Sequence, residues 1–299
     1  MKHTFAQRRY SSVALCLILL ILGSCERGDL AAPVSGEGAR LTLSRPVFHA
    51  NGRTLGHPNA AELREADGGE IVRSAADYNH FWLEIAPLLK QWSGDPRLNV
   101  NPNFVAAILT KESGFDSLAV SWAPANGLPQ MTYWADADLR EMTQGTAFSW
   151  MQSEVASWPR HPLVHSPSAT RDVTLALLRQ GSVSAETEDL FAPAQAVRGA
   201  LFWLRLLENK WTTDSWPGGY GSNARAKLNG GGPLSEDQLL DLVTVSYNRG
   251  YDWVYQLVDE YGAQWTTVLV RQGAAGLEAA DYLDRVRFYT AVYQRAPTS

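Results

Sequence analysis

The residues with chemical content run from Glu112 to Met131: Glu-Ser-Gly-Phe-Asp-Ser-Leu-Ala-Val-Ser-Trp-Ala-Pro-Ala-Asn-Gly-Leu-Pro-Gln-Met. Phe104, Val105, Ile108 and Leu109 recur at helical spacing just upstream. Glu112 falls on the same stripe, three residues past Leu109 and four past Ile108. Asn101 and Pro102 supply an N-cap and a proline at the first helical position, and Gly114 suits a left-handed end. The carboxyl group is therefore expected at the C-terminal end of a half-buried helix, facing inward. Lys111 points elsewhere and is no obvious partner. Desolvation and the negative end of the helix dipole both disfavour the anion. A carboxylic acid kept protonated near neutral pH is what general-acid cleavage of a glycosidic bond requires. The plain alternative is a Glu in a frayed last turn that reaches water, as most Glu residues do.

The pattern Glu-Ser-x-Phe-x-x-x-Ala-x-Ser, then Gly-Leu-x-Gln-Met, resembles the signature of the lytic transglycosylases of the soluble-lytic-transglycosylase type, glycoside hydrolase family twenty-three. The matching residues are Glu112, Ser113, Phe115, Ala119, Ser121, Gly127, Leu128, Gln130 and Met131. Others follow in the family's order. Pro193, Gln195, Val197, Arg198, Gly199, Ala200 and Leu204 resemble one of its helices, with the Gly one residue early. Tyr247-Asn248-x-Gly250 resembles its Tyr-Asn-x-Gly, with Ser246 where Ala is usual, and Tyr282 with Val286 resembles its closing helix. The similarity covers residues 75–296.

The resemblance implies roles. Glu112 protonates the leaving oxygen. The Ser121 hydroxyl lies near that carboxyl and helps position it; a turn serine that caps its own backbone is the alternative. Asn126-Gly127 is a turn that brings backbone close to the sugar. Gln130 offers an amide to an N-acetyl or hydroxyl group. Met131 walls the cleft. Tyr247 reaches Glu112 with its hydroxyl, unless it is purely structural. Asn248 supports the fold or binds sugar, and Tyr282 borders the cleft. Asp116, four residues past Glu112 and beyond the Gly turn, reads as structural. One carboxyl group is enough for a substrate-assisted reaction, an exception to the usual carboxylate pair.

These residues need elements to hold them. Tyr78, Phe81, Trp82, Ile85, Leu88 and Leu89 follow a helical period. Pro193 to Trp211 reads as a helix with Val197, Leu201, Leu204 and Trp211 inward. Trp216 to Pro233 is Gly-rich and reads as a mobile loop. Ser235 with Gln238 forms a capping box for a helix running to Asn248. Tyr282, Val286, Tyr289 and Tyr293 stripe the last helix. Residues 132–190 are nearly three times what the family has there, and read as an insertion of mixed helical and irregular pieces flanking the glycan cleft, with a decorative surface elaboration as the alternative. The eleven Trp residues invite sugar stacking but also suit a core.

The chain starts with a basic segment (Lys2, Arg8, Arg9), then an apolar run, Val13–Leu22, too short to span a bilayer comfortably. Leu22-Gly23-Ser24-Cys25 resembles a bacterial lipobox. It implies a signal peptide over 1–24 and a lipid anchor on Cys25; an ordinary secretory signal that happens to hold a Cys is the alternative. Glu26, where Asp would favour the inner membrane, implies an outer-membrane protein of the cell envelope facing the periplasm. Cys16 leaves with the leader, so the mature domain has neither free thiol nor disulfide. Residues 25–70 read as anchor and mostly flexible tether, with ordering towards its end left open, and 71–299 as the catalytic domain. The formal charge is −5 and becomes more negative once the leader is removed, which argues against a nucleic-acid binder. No metal or cofactor is expected: there is no phosphate-binding Gly loop with Lys and no His-Glu-x-x-His. His49 with His57, and His161 with His165, are poor metal pairs, the second because Pro162 interrupts a regular helix.

The expectation is a mainly α, lysozyme-like domain that cleaves the N-acetylmuramic acid–N-acetylglucosamine β-1,4 bond of peptidoglycan strands. A hydrolytic muramidase and an inactive wall-binding scaffold are the alternatives.

Overall fold

In the computed structural model, which describes residues 53–67, 80–143, 146–214 and 219–298, the chain is mainly α. Helix α1 is Ala60–Asp67, and α2 is Ala86–Ser93, entered through a wide turn over Phe81–Ile85. The helix that carries Glu112, α3, spans Pro102–Ser113. A two-stranded antiparallel ribbon follows, β1 (Ala125–Asn126) with β2 (Met131–Thr132). Then come α4 (Tyr133–Thr143), α5 (Ser149–Val155), α6 (Arg171–Arg179) and α7 (Pro193–Thr212). The C-terminal part holds α8 (Gly221–Asn229), α9 (Glu236–Arg249), α10 (Tyr251–Tyr261), α11 (Trp265–Val268) and α12 (Gly273–Arg295).

Local signals place α3. Asn101 accepts a hydrogen bond from the Asn103 amide at 3.0 Å, Pro102 fills the first position, and Gly114 closes the helix with φ 58°. Every residue from Pro102 to Thr110 is buried. The apolar stripe in the sequence is thus one face of a helix enclosed on all sides. The long helix α12 packs along it, and Thr110 Oγ1 lies 3.0 Å from the Tyr293 hydroxyl. Helix α9, opened by the Ser235–Gln238 capping box, packs on α7, α10 and α12.

Two segments differ from expectation. Residues 53–63, expected within the tether, belong to the domain: Leu55 and Leu63 are fully buried. Asn103 fastens this segment, accepting from the Gly56 amide at 2.9 Å and donating to Thr54 O at 3.1 Å. Gly56 forms a bridge with Thr298, and the His57 amide donates to Pro297 O at 2.8 Å. A Cβ on Gly56 would stand 1.7 Å from Tyr293 O, so only Gly fits. His57 stacks on Trp82 with ring centroids 3.6 Å apart. Two isolated Leu residues among Gly, Ala and charge leave no period to read. Second, much of the expected Gly-rich loop is helix α8, whose Ala224 and Leu228 face the core. The leader, Cys25, His49, the boundary at Ile71, Tyr78 and Trp216 lie outside the described residues. Among the described residues no helix is long and apolar enough to cross a membrane.

Residues 132–190 hold α4, α5, α6 and irregular connections, the mixture expected of them. Trp150 and Trp158 pack on Phe202 of α7, with centroids 5.3 and 5.9 Å away, and so serve the core.

Candidate active site

Glu112 sits in the last turn of α3. Gly114 and then Phe115 take left-handed backbone, φ 58° and 72°, and turn the chain sharply. Such a φ is unfavourable for an aromatic residue. Burial of the Phe115 ring 4.1 Å from Phe81 holds it in place. The loop then folds back beside the carboxyl group.

Glu112 is half-buried, and Oε1 accepts a 2.5 Å hydrogen bond from the Tyr282 hydroxyl of α12. Removal from water pushes its pKa up to about 7. The Tyr282 bond and the Lys111 charge pull the other way, and Glu278 adds to the rise. Lys111 is therefore involved after all: its Nζ lies 5.9 Å over the Tyr282 ring and 3.7 Å from Asp281. Glu278, the carboxylate whose charge reaches Glu112, is exposed and pairs with Arg249.

Tyr247 does not reach Glu112 with a hydrogen bond. Its hydroxyl donates to Pro129 O at 2.7 Å, although it lies close enough for Glu112's charge to act on it. The tyrosine on the carboxyl group is Tyr282, and Tyr247 instead fixes the loop. Burial, first, and the nearby Glu112 keep both phenols neutral, well above their ordinary pKa.

The loop is fastened from within. Gln130, with φ 48°, donates through Nε2 to Gly127 O at 2.8 Å and Ala119 O at 3.1 Å. Its amide donor is thereby spent on the loop rather than held out to a sugar. Ser121 donates to Ala123 O at 3.0 Å and accepts from the Ala125 amide at 3.2 Å. It is a turn serine and makes no hydrogen bond to Glu112, contrary to the role the resemblance implied. Gly127 does admit close backbone, but from this chain: a Cβ there would stand 1.7 Å from Leu190 O. Met131 is buried and packs inward on Gly199 of α7, not on an open wall. Asp116 is exposed and caps the Leu118 amide at 2.8 Å, a structural role as expected. Asn248 Oδ1 is buried without a hydrogen bond.

Residues 132–190 contain a second polar centre that the sequence did not reveal. His165 Nε2 lies 2.5 Å from Glu188 Oε1 and 3.0 Å from Asp189 Oδ1, and Nδ1 lies 3.3 Å from Asp136 Oδ2. These His and carboxylate atoms are close enough together to suggest a metal. However, Arg160 pairs with Asp136, and Arg140 lies 4.0 Å from Asp189. Two guanidiniums and a protonated His165 balance the three carboxylates. Burial opposes charge on His165, but the carboxylates outweigh it and raise its pKa to about 10. The cluster is thus a charge-balanced ion network, in which Arg140 Nη2 and Arg160 Nε make ion contacts to Asp189 without hydrogen bonds. The residue after Asp189 is Leu190, whose carbonyl touches Gly127, so the network braces the Glu112 loop from behind. A small cavity lined by Met131, Asp136, Leu139, Trp158, Leu190 and Gly199 touches both and does not include Glu112.

The site therefore offers one carboxyl group near neutral pKa, a tyrosine fixing one of its oxygens, and a braced loop on its far side. No protein-family model and no curated protein sequence matches the chain.

Proposed function

We propose that the chain is a peptidoglycan lytic transglycosylase with a lysozyme-like catalytic domain, and that residues 132–190 are an insertion in it. It cleaves the β-1,4 bond between N-acetylmuramic acid and N-acetylglucosamine without net water. The observation that carries the reading is Glu112: a carboxyl group pushed up to about 7, with Oε1 held by Tyr282.

The acid on Oε2 protonates the leaving glycosidic oxygen, and the C–O bond breaks. The substrate's N-acetyl oxygen attacks the anomeric carbon and forms an oxazolinium-like intermediate. Glu112, now the anion, removes the C6 hydroxyl proton. That oxygen closes on C1 and expels the acetamide, giving a 1,6-anhydro end. One group with a pKa near neutrality serves both steps, since it both gives and takes a proton at little cost. Tyr282 donates to the anion between the steps and steadies it. The lipobox-like start and the proposed wall substrate support a lipid-anchored protein of the cell envelope.

A hydrolytic muramidase is the second reading, since Glu278 is a carboxylate whose charge reaches Glu112. Mass spectrometry of fragments released from purified peptidoglycan, beside Glu112→Gln, separates the readings. Anhydro ends from wild type alone support transglycosylation. Reducing ends establish hydrolysis. Wall binding with no release from either protein establishes a scaffold.

A further inference from the structure

Among the described residues, most tryptophans are buried or packed on the core, and two stand in water: Trp122, 79% exposed, and Trp134, 54% exposed. Both belong to the ribbon beside Glu112. The Gly127 amide donates to Ala119 O at 2.9 Å, Val120 bridges to Asn126, and the Ser121 amide donates to Ala125 O at 3.0 Å. Residues 119–127 are therefore a short hairpin with Trp122 at its tip. Ala125 pairs with Thr132 on the other side, and Trp134 follows two residues on. The base of the hairpin is fixed next to the acid. Gln130 holds Ala119 O and Gly127 O, and Tyr247, on which the Glu112 charge acts, holds Pro129 O. With about 3.3 Å per residue, the tip stands about 10 Å from that base.

Trp122 is held in place. Arg171, the first residue of α6, lays its guanidinium 4.4 Å from the ring centroid, and its Nε donates to Val120 O at 3.4 Å. The guanidinium takes one face of the indole and leaves the other to solvent. Its terminal nitrogens make no hydrogen bond or ion pair among the described residues. An open aromatic face with unused N–H donors beside it suits a ligand with an apolar face rimmed by hydroxyls, which is a sugar ring. A lipid surface fits less well, because a chain of net charge −5 is repelled by anionic headgroups.

We infer that Trp122, backed by Arg171, is a sugar-stacking platform that holds the glycan strand beyond the cleaved disaccharide, with Trp134 as a second surface across the ribbon. This rests on the glycan-cleaving reading above. Trp122 stands at a position that the family signature leaves open, and Arg171 and Trp134 lie within residues 132–190. The preference for long strands that follows is thus this chain's own, supplied by its additional segment.

The test uses the full chain on peptidoglycan fragments with the same peptides, fractionated into tetrasaccharides and long strands. Wild type is expected to favour long strands in kcat/KM, mainly through KM, and Trp122→Ala to lower that preference about tenfold. The side chain lies mostly in water, so the variant is expected to keep the wild-type thermal melt. Trp122→Phe restores part of the preference through its smaller ring, and Arg171→Ala loses part of it. No preference in wild type, or one that Trp122→Ala leaves unchanged, overturns the inference. Calorimetry with long strands on the Glu112→Gln background reads the platform without turnover, and Trp122→Ala is expected to weaken binding about tenfold there. If wild type cuts neither fraction, the glycan-cleaving reading fails and calorimetry alone decides the platform. Binding that Trp122→Ala weakens then upholds it; binding that is unaffected or absent overturns it. Attachment to phosphatidylglycerol vesicles that depends on Trp122, with no effect on glycan, overturns it in favour of a lipid surface.

Discussion

Tyr282 and Glu112 stand 170 residues apart in sequence and share a 2.5 Å hydrogen bond. The bond favours the carboxylate, while burial favours the acid, and burial prevails. Activity should therefore fall as pH rises through about 7, where Glu112 loses the proton it must donate. Tyr282→Phe removes a bond to the anion. The alkaline limb of the kcat/KM profile should move up by about one pH unit, with turnover down about tenfold from lost orientation. Profiles of anhydro-product formation check this, and a limb that moves down would contradict it.

Glu112 should also weaken the fold it serves. Its folded pKa of about 7 lies above the ordinary 4.5, so the native carboxyl keeps a proton the unfolded chain has lost. Stability then declines as pH rises from about 4.5 to about 7 and is level above that. Glu112→Gln removes the penalty. It should exceed wild type by about 1–3 kcal/mol above pH 7, a range lowered for partial exposure, and converge with it at pH 4. Urea titrations at the two pH values measure the difference.

The two loop residues should separate cleanly. Ser121→Ala loses a local turn and should cost about 1 kcal/mol while leaving the alkaline limb where it was. A limb displaced by this change would restore Ser121 to the carboxyl group. Gly127→Ala meets Leu190 O and a φ of 69°, and should cost more than about 2 kcal/mol. Thermal melts with the pH profile distinguish the pair.

His165 gives a decline of the same sign as Glu112 but in a higher pH window. Its folded pKa, pushed up to about 10, lies above the ordinary 6.5. Its stabilisation is complete below pH 6.5 and is lost as pH rises towards 10. His165→Gln should lose about 3 kcal/mol near neutrality and flatten the decline in Tm between pH 7 and 10. An unchanged alkaline decline in the variant would remove His165 as its source.

What the sequence disclosed is mostly local. Asn101, Gly114 and the Ser235–Gln238 box act within one turn of helix, and each sits where its chemistry suggested. The placement of Glu112 followed from spacing alone. What stayed hidden depends on approach between distant segments. Nothing local tells which of Tyr247 and Tyr282 meets the carboxyl group, because α9 and α12 decide it by how they pack. Ser121 and Gln130 have polar atoms that suit a ligand equally well, and only the closed loop shows them turned to their own backbone. The ion network draws on residues 136, 140, 160, 165, 188 and 189, a set with no sequence spacing to betray it. Helix α8 was masked by its flanking glycines, although Ala224, Arg225, Ala226, Lys227 and Leu228 are good helix formers.

The seam that joins Gly56 and His57 to Pro297 and Thr298 also sets where mechanical load enters the domain. Tension on the chain ahead of Arg53 meets the Arg53–Glu236 contact and the Asn103–Thr54 bond first, then this short antiparallel bridge, with the Gly56–Asn103 clamp on α3 and the backbone of α12 at Tyr293 behind it. Those two helices carry Glu112 and Tyr282. A domain pulled from its leading end is thus loaded through the same pair of helices that hold the acid and its tyrosine together, and their packing along one another resists that pull.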